Sequence, residues 1–574
     1  LGGFSPVVLR RLIAGCLFSA ASAVACTGGE GAPSPVDAAA LDDAVTPDAP
    51  ADTVTPDVSA DAVTPDAPAD AAPCGTPAEC SALWERNAAA RLDAVAASPT
   101  ELAAFLRAVP KGGDLHNHLS GSVYAETLLT WGMADGNCIN STSFSAVARG
   151  QCATAGNLPV PSSGMFFDQI LRAWSMLDFV PGGAVSGHDH FFATFGKFGI
   201  IAGLHRDDSI ADLALRAHDE NQVYLETMFN LGTNVGSLSS TVITGSVTAD
   251  NLPALYESLV SNPGFAAQLD RDVNAVTGAA QRYRVALGCN ELSPPAACDV
   301  RVRFTAQIAR TAANDQIFGQ LVSAFEMASR TPQLVAANLS SPEDDTASLR
   351  NYELHMAMLD FLHARYTVTG RSPLHITLHA GEIVPRFLPS GFSAHNTFHI
   401  RRAVEVGHAE RIGHGIDVLS ETDPEGLLDT MRDRNVLVEV CLSSNDQILE
   451  VRGADHPLAR YLAHGVPVAL ATDDQGVSRS SLAGEYARAV RDQRLNYRQL
   501  KAMARNSLEH AFLPGASVWA ALPMQQPVAA CAPTATMALG DRPNAACQAF
   551  LDASERAQAQ WELERRFRLF ESQQ

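Results

Sequence analysis

Four short motifs, tens to hundreds of residues apart, carry the side chains best suited to chemistry: His116-Asn117-His118, His379-Ala380-Gly381-Glu382, Arg411-Ile412-Gly413-His414-Gly415 and Thr472-Asp473-Asp474. His116, His118, His379 and Asp473 offer three imidazoles and a carboxylate, a donor set for one divalent ion. His116 and His118 are two apart, and in a strand that period points both side chains to one face. Glu382, three positions past His379, falls beside such an ion, where a carboxylate can shuttle a proton. Asp473 and Asp474 point different ways, so one can bind metal while the other faces substrate. Gly381 allows close approach of backbone or ligand. His414, between two glycines, is either a buried neutral imidazole or a group that stabilises a developing oxyanion. Three imidazoles and one carboxylate suit Zn2+, one per chain, with an open position for water whose pKa the ion lowers to about 7. That chemistry is metal-assisted hydrolysis at an sp2 carbon, and it names no substrate. His188 and His190 share the two-residue spacing without companions and are read as loop or surface residues.

Stepping outward, the motifs are placed by apolar runs. Leu374–Leu378 precedes His379, Val466–Leu470 precedes Asp473, and Val436–Cys441 falls between them; all three have the length and content of buried strands. The steps from His379 to His414, to Cys441 and to Asp473 are 35, 27 and 32 residues, each one strand-loop-helix-loop unit. Val223–Glu226, Val302–Phe304 and Leu334–Asn338 fit earlier units, and Asp114–His118 and Arg411–Gly413 complete eight strands. Strands separated by helical stretches pair in parallel, and eight of them close a barrel whose strand C-termini carry the active residues. The predicted fold class is therefore α/β, a (β/α)8 TIM barrel with insertions, preceded by a signal peptide and a disordered linker.

The wording of these motifs is more specific than their spacing. Pro110 to Ser122, the three motifs at His379, Arg411 and Thr472, and Glu439-Val440-Cys441-Leu442-Ser443-Ser444-Asn445 together resemble the adenosine deaminase family over about residues 108 to 515. The Pro110-Lys111-Gly112 lead-in, the export signal and the long segment after the first strand look like the secreted, growth-factor-type members. The resemblance implies that His116, His118, His379 and Asp473 bind zinc. It also implies that Glu382 protonates N1 of the purine, that His414 orients the attacking water, and that Asp474 hydrogen-bonds N7. Two positions depart from the family pattern. Ser120 stands where cytosolic-type members have a ribose-contacting Asp, and Ser341 stands where a glycine meets the purine N3 edge. Both departures touch substrate recognition, so the expected reaction is deamination of adenosine or 2′-deoxyadenosine, or of another adenine-containing compound or modified purine. A catalytically inert nucleoside-binding module is disfavoured because Glu382 and every ligand are present. The His-x-Glu and Pro-Cys-x-x-Cys signature of cytidine-type deaminases is absent.

The rest of the 574 residues frames this domain. Net charge is −22, which disfavours nucleic-acid partners; the expected partner is a small purine nucleoside, with a homodimer possible. Arg10-Arg11 followed by apolar Leu12–Ala25 predicts a signal peptide over 1–25 of lipoprotein type, with Cys26 acylated. The chain is thus expected to be exported, as an envelope lipoprotein anchored only through Cys26 or as a secreted product. Residues 26–73 form a Pro/Asp/Ala-rich linker in which one ten-residue sequence occurs at 43–52 and again at 61–70. Residues 74–107 predict an N-terminal helical extension, 108–515 the barrel with an insertion at about 131–190, and 516–574 a C-terminal loop and helix, the helix from Gln548 to Phe570. In the insertion, Trp174 and Phe179 are assigned to core packing before pocket closure. Eight cysteines fall in near pairs outside the strands: Cys74 and Cys80, Cys138 and Cys152, Cys289 and Cys298, Cys531 and Cys547. That pattern suits local disulfides in an oxidising compartment, with Cys441 a buried thiol.

Overall fold

Eight segments with buried apolar side chains pair in parallel into one sheet, because each returns through a helix on the outside. The structure, a computed structural model, describes residues 74–574 other than 182–184, 232–233, 369–373, 522–523 and 525. The expected signal peptide, Cys26 and the linker lie outside the described residues.

The strands, in chain order, begin with β1 (Gly112–His118). A small inserted sheet follows, made of β2 (Cys138–Asn140), β3 (Ala146–Val147) and β4 (Asn157–Pro159). The remaining strands are β5 (Gln222–Asn230), β6 (Arg301–Ala309), β7 (Leu334–Ser340), β8 (His375–Ala380), β9 (Arg411–His414), β10 (Leu437–Val440) and β11 (Val468–Leu470). The large sheet runs β1-β5-β6-β7-β8-β9-β10-β11 with every pair parallel. Its ends meet through Asn117 and Asp473: the His118 N–H donates to Asp473 O at 3.1 Å and the Asp473 N–H to His116 O at 2.8 Å. The barrel is therefore closed by the backbone of the expected metal ligands.

One face of each strand is sealed against helices by residues such as Phe304, Ile376, Ile412, Val438 and Val468. The interior is polar. Arg411 on β9 pairs with Glu226 on β5 at 2.5 Å and with Glu439 on β10 at 2.6 Å; β5 and β9 are not sheet neighbours, so the first pair crosses the barrel. Tyr224 and Thr377 hydroxyls donate to the same two carboxylates. Breaking such a buried pair from one side costs about 3–5 kcal/mol, since the other charge is left unpartnered.

Helices start where the sequence caps them. Ser98 with Pro99 begins Pro99–Ala108, Asn262 with Pro263 begins Pro263–Leu287, and Asn496 with Gln499 forms a capping box for Tyr497–Glu509. The N-terminal extension is two helices, Pro77–Val95 and Pro99–Ala108, and Phe105 packs on Tyr497 and Phe570 of the barrel's outer layer. The C-terminal segment also differs from a single helix. Ala545–Asp552 ends and Ser554 caps a fresh start at Glu555–Ser572. A satellite core of Val518, Trp519, Cys547 and Trp561 surrounds the Cys531–Cys547 disulfide. Cys138–Cys152 and Cys289–Cys298 are bridged, Cys74 and Cys80 are disulfide-bonded as well, and Cys441 is a buried free thiol.

The inserted segment runs further than 190. After the β2–β4 sheet and the helix Met165–Trp174 comes a helix Gly187–Leu204, and only then the barrel helix Arg206–Asp219. His188 and His190 are correspondingly not loop residues. Ser186 caps this helix, His188 Nε2 meets Asp344 at 3.2 Å, and His190 stacks on Phe179. Trp174 is buried with its Nε1–H donating to Phe144 O, away from the barrel mouth.

Candidate active site

The strand ends bring the four expected ligands together. His118 Nε2 and His116 Nε2 each lie 3.1 Å from His379 Nε2, and Asp473 Oδ1 is 3.3 Å from His118 Nε2 and 3.5 Å from His116 Nε2. All four donor atoms lie within 4.8 Å of one another and all four residues are buried. Ligands about 2.0–2.1 Å from a tetrahedral ion stand about 3.3 Å apart, so the spacing fits a small divalent cation. Charge asks for one too. Burial opposes a proton on His116, yet its hydrogen bonds to Asp473 and Glu439 draw its pKa up to about 10; a bound cation would take that proton's place.

Three of the four ligands are oriented from behind. His116 Nδ1–H donates to Glu439 Oε2 at 2.6 Å, His379 Nδ1–H to Asn338 Oδ1 at 2.6 Å, and the Ser444 hydroxyl to Asp473 Oδ2 at 2.7 Å. These bonds leave the Nε2 lone pairs of His116 and His379 free to face inward. Burial pulls His118 down to about 4 and His379 well below the usual imidazole range, so both are neutral ligands at neutral pH. Asp473 is held ionised, below its ordinary value, because the histidines outweigh its burial. The sequence also fits sterically: a Cβ at Gly413 would stand 2.5 Å from His116 Cε1, so only glycine lets that ring lie against β9.

Glu382 behaves oppositely. Burial, reinforced by the charge of Asp473, raises its carboxyl to about 8. It is a proton donor at neutral pH, 3.7 Å from His414 Nε2. Burial takes His414 down to about 3, leaving a neutral imidazole whose Nε2 has no hydrogen-bond partner among the described residues. Asp474 is also raised well above the carboxylate range by burial and by Asp473, and its Oδ1 is buried and unpartnered. A protonated carboxyl there is a hydrogen-bond donor aimed at whatever fills the cavity.

The cavity measures about 320 Å³ and is lined by His118, Ser120, His379, Glu382, Asp473, Asp474, Gln307, Ser341, Pro342, Phe191, Phe192, Phe195 and Ile448. No lysine or arginine is among them. Ser120 and Ser341 both reach this wall. Gly381 does not: its N–H donates to Glu343 Oε1 at 3.2 Å, and a Cβ would clash with Asp417 and Ile400. Its left-handed φ of +76° lets the chain turn so that the next N–H, of Glu382, meets Glu343 Oε2 at 2.8 Å. The same turn recurs without glycine at Ser341, His414 and Asp473, with φ of 81°, 68° and 57°. Left-handed non-glycine residues at the ends of strands are a mark of functional constraint.

Most of the residues that build this site fall in a segment that resembles a known family. The adenosine deaminase family model matches residues 255–520. Over these residues the chain is similar to the adenosine deaminase family. An adenosine deaminase of Escherichia coli is 35% identical over 140 residues, 24% of this chain and 38% of its own length; one from Edwardsiella ictaluri is 34% identical over 155 residues, 27% and 42%. The matched part thus spans about two-fifths of these relatives. Among solved structures, an adenine deaminase from Arthrobacter aurescens aligns at TM-score 0.42 and 18% identity, covering 70% of this chain and 94% of that one. The N6-methyl-AMP deaminase of Arabidopsis thaliana aligns at 0.42 and 20%, covering 71% and 94%.

The motifs left part of this site without a role. Glu439, Ser444 and Asn445 belong to the Glu439–Asn445 motif but, like Asn338 outside it, serve as partners rather than reacting groups; a charged Glu439 inside an apolar strand is a visible signal that something pairs with it. Glu343 is another. Burial opposes its charge, but the His399 Nδ1 hydrogen bond at 2.6 Å and Arg310 keep it ionised behind Glu382. Phe191, Phe192 and Phe195 come from the insertion, where only the aromatic run itself marked them.

Proposed function

We propose that this chain hydrolyses the exocyclic amine of adenosine or 2′-deoxyadenosine, yielding inosine or deoxyinosine and ammonia, with one Zn2+ held by His116, His118, His379 and Asp473. The observation that carries the reading is geometric: the donor atoms of His116, His118, His379 and Asp473 converge within 4.8 Å of one another, and Glu382 and Asp474 line the same cavity. When bound, the ion supplies a water acidic enough to ionise near neutral pH. Glu382 gives its proton to the ring nitrogen N1, which makes C6 electrophilic. Asp474 donates to N7, an acceptor that its raised pKa suits. His414 holds the oxygen that C6 acquires. The phenylalanines and Ile448 exclude water from the purine face.

A cavity wall free of lysine and arginine supports a nucleoside over a nucleotide. Ser120, Ser341 and the three phenylalanines favour one second reading, another adenine-containing compound or a modified purine. The disulfides support export into an oxidising compartment, consistent with the lipoprotein or secreted form expected from the N-terminal residues. To test the activity, zinc-loaded protein is incubated with adenosine, deoxyadenosine, adenine and AMP while the purine absorbance is followed, with and without chelator. Turnover of the nucleosides alone is expected; turnover of none of the four would sink the proposal.

A further inference from the structure

A chain of hydrogen bonds behind His414 has a direction that only one of its members can set. The Leu458 backbone N–H donates to His456 Nδ1 at 3.1 Å. A backbone N–H can only donate, so Nδ1 of this imidazole is an acceptor. His456 is buried, and burial takes its pKa down to about 3. The neutral ring therefore carries its hydrogen on Nε2, which lies 3.2 Å from Asn445 Oδ1. That contact requires the amide oxygen of Asn445 to face His456 and the amide nitrogen to face away. The nitrogen, at 2.9 Å, meets His414 Nδ1. His414 Nδ1 must then accept, and its single hydrogen sits on Nε2, the atom that lies 3.7 Å from Glu382 Oε1 and has no hydrogen-bond partner among the described residues.

We propose that His456 is a positioning residue which, through Asn445, fixes the tautomer of His414 so that an Nε2–H is presented to the reacting oxygen. The proposal rests on the deaminase reading of the site and decides what His414 does within it. An imidazole already protonated at Nε2 cannot take a proton from water there. It can donate to an oxygen on which negative charge develops, and a donor aimed in advance at that position is what lowers such a barrier. Of the three, His414 is the one beside the cavity-lining Glu382, with Asn445 behind it and His456 behind Asn445, so both act through His414. Without His456 the Asn445 amide is free to rotate by a half-turn. Its oxygen would then face His414, drawing the hydrogen to Nδ1 and leaving a bare lone pair where the donor belongs.

The test uses the full zinc-loaded chain with 15N-labelled histidine. Long-range proton–nitrogen correlations distinguish the two neutral tautomers, and a His414→Asn sample assigns the signal. The wild type is expected to show His414 with hydrogen on Nε2 alone. His456→Leu should shift this signal toward the Nδ1–H form. Its kcat should fall about 10- to 100-fold, the range for losing a partner that orients a site imidazole, with KM and zinc content unchanged. His456→Gln, whose amide N–H can replace the lost donor to Asn445, should restore both the signal and most of kcat. An Nδ1–H signal in the wild type overturns the proposal, and so does an unchanged tautomer in His456→Leu. Parallel losses of zinc, KM and kcat in both variants would assign His456 a structural role only and likewise overturn it. If the wild type turns over no adenine compound, the deaminase reading falls, while the tautomer signal still decides the relay.

Discussion

The two walls of the cavity are built on opposite principles. On the strand side, His379 and Asp473, which line the cavity, and His116 and His414, which pack against His379, are each buried and each held by a named partner: Asn338, Ser444, Glu439 and Asn445 respectively. On the facing side, the helix Gly187–Leu204 contributes Phe191, Phe192 and Phe195, apolar rings without directional bonds, two of them only half-buried. Directional bonds fix geometry to a few tenths of an ångström, whereas apolar contact fixes only shape and volume. The chemistry is thus rigidly specified and the recognition adaptable. Changes on the strand side should act on kcat, and changes on the helix side on KM.

The sharpest way to break this contrast is to remove the ion. Chelation, or Asp473→Ala, should reduce deamination to background, and added Zn2+ should restore only the chelated wild type. Metal content measured beside activity checks that the loss tracks the ion. Next in size is Glu382→Gln, expected to keep zinc and KM while kcat falls by about 10²–10⁴-fold, the usual contribution of a positioned proton donor. The same group predicts a pH limb. Its pKa is raised to about 8, so the required proton is present below that pH and lost as pH rises through it; kcat/KM, measured at substrate well below KM and so reporting the free enzyme, should decline on the alkaline side, and the Gln variant should lack the decline.

The same division explains what could be read from the amino acids. Strand-side residues were legible because the chemistry restricts them to histidine and carboxylate, and because from His379 to Asp473 the strand tips recur at steps of 27 to 35 residues, the length of one barrel unit. The three imidazoles, Asp473, Glu382 and Asp474 converge where that reasoning placed them. Partners such as Asn338 and Asn445 were less visible, since an amide has many structural uses and its role appears only when a ring nitrogen is seen beside it. The helix side was illegible for a physical reason. Phenylalanine at helical spacing looks the same whether it faces a core or a cavity, and here His188 and His190 sit on the very helix that supplies the wall. For Gly381, whose small size admits either backbone or ligand, the structure shows a backbone reason: a left-handed turn packed closely against Asp417 and Ile400.

A helix-side substitution should show the complementary pattern. Phe195→Ala removes apolar surface from the cavity without touching any group that moves a proton. Burying a phenylalanine against a ligand is worth about 1.5–3 kcal/mol at most, so KM for adenosine should rise about tenfold or somewhat more while kcat stays within a few-fold. Steady-state kinetics separate the two constants. A fall in kcat as large as that of Glu382→Gln would show that the helix positions the substrate for chemistry and would erase the contrast between the walls.

The smallest effect is expected at Ser341, where the two principles meet. Its hydroxyl-bearing side chain lines the cavity, yet its φ of 81° lies in the left-handed region that glycine occupies freely. An L-residue there is strained by roughly 1–2 kcal/mol. Ser341→Gly should relieve that strain, and the greater freedom of glycine in the unfolded chain offsets about half of the gain. A net stabilisation of at most about 1 kcal/mol is expected, read as a modest rise in the urea midpoint. If Ser341 is kept only because the turn tolerates it, KM should not move. If its Oγ meets the substrate, KM should rise even as stability rises, because the hydroxyl is lost while the turn relaxes. Opposite signs in the two measurements would mean that backbone strain is retained at this strand tip for the sake of recognition, which extends to the substrate-facing wall the constraint already seen at His414 and Asp473.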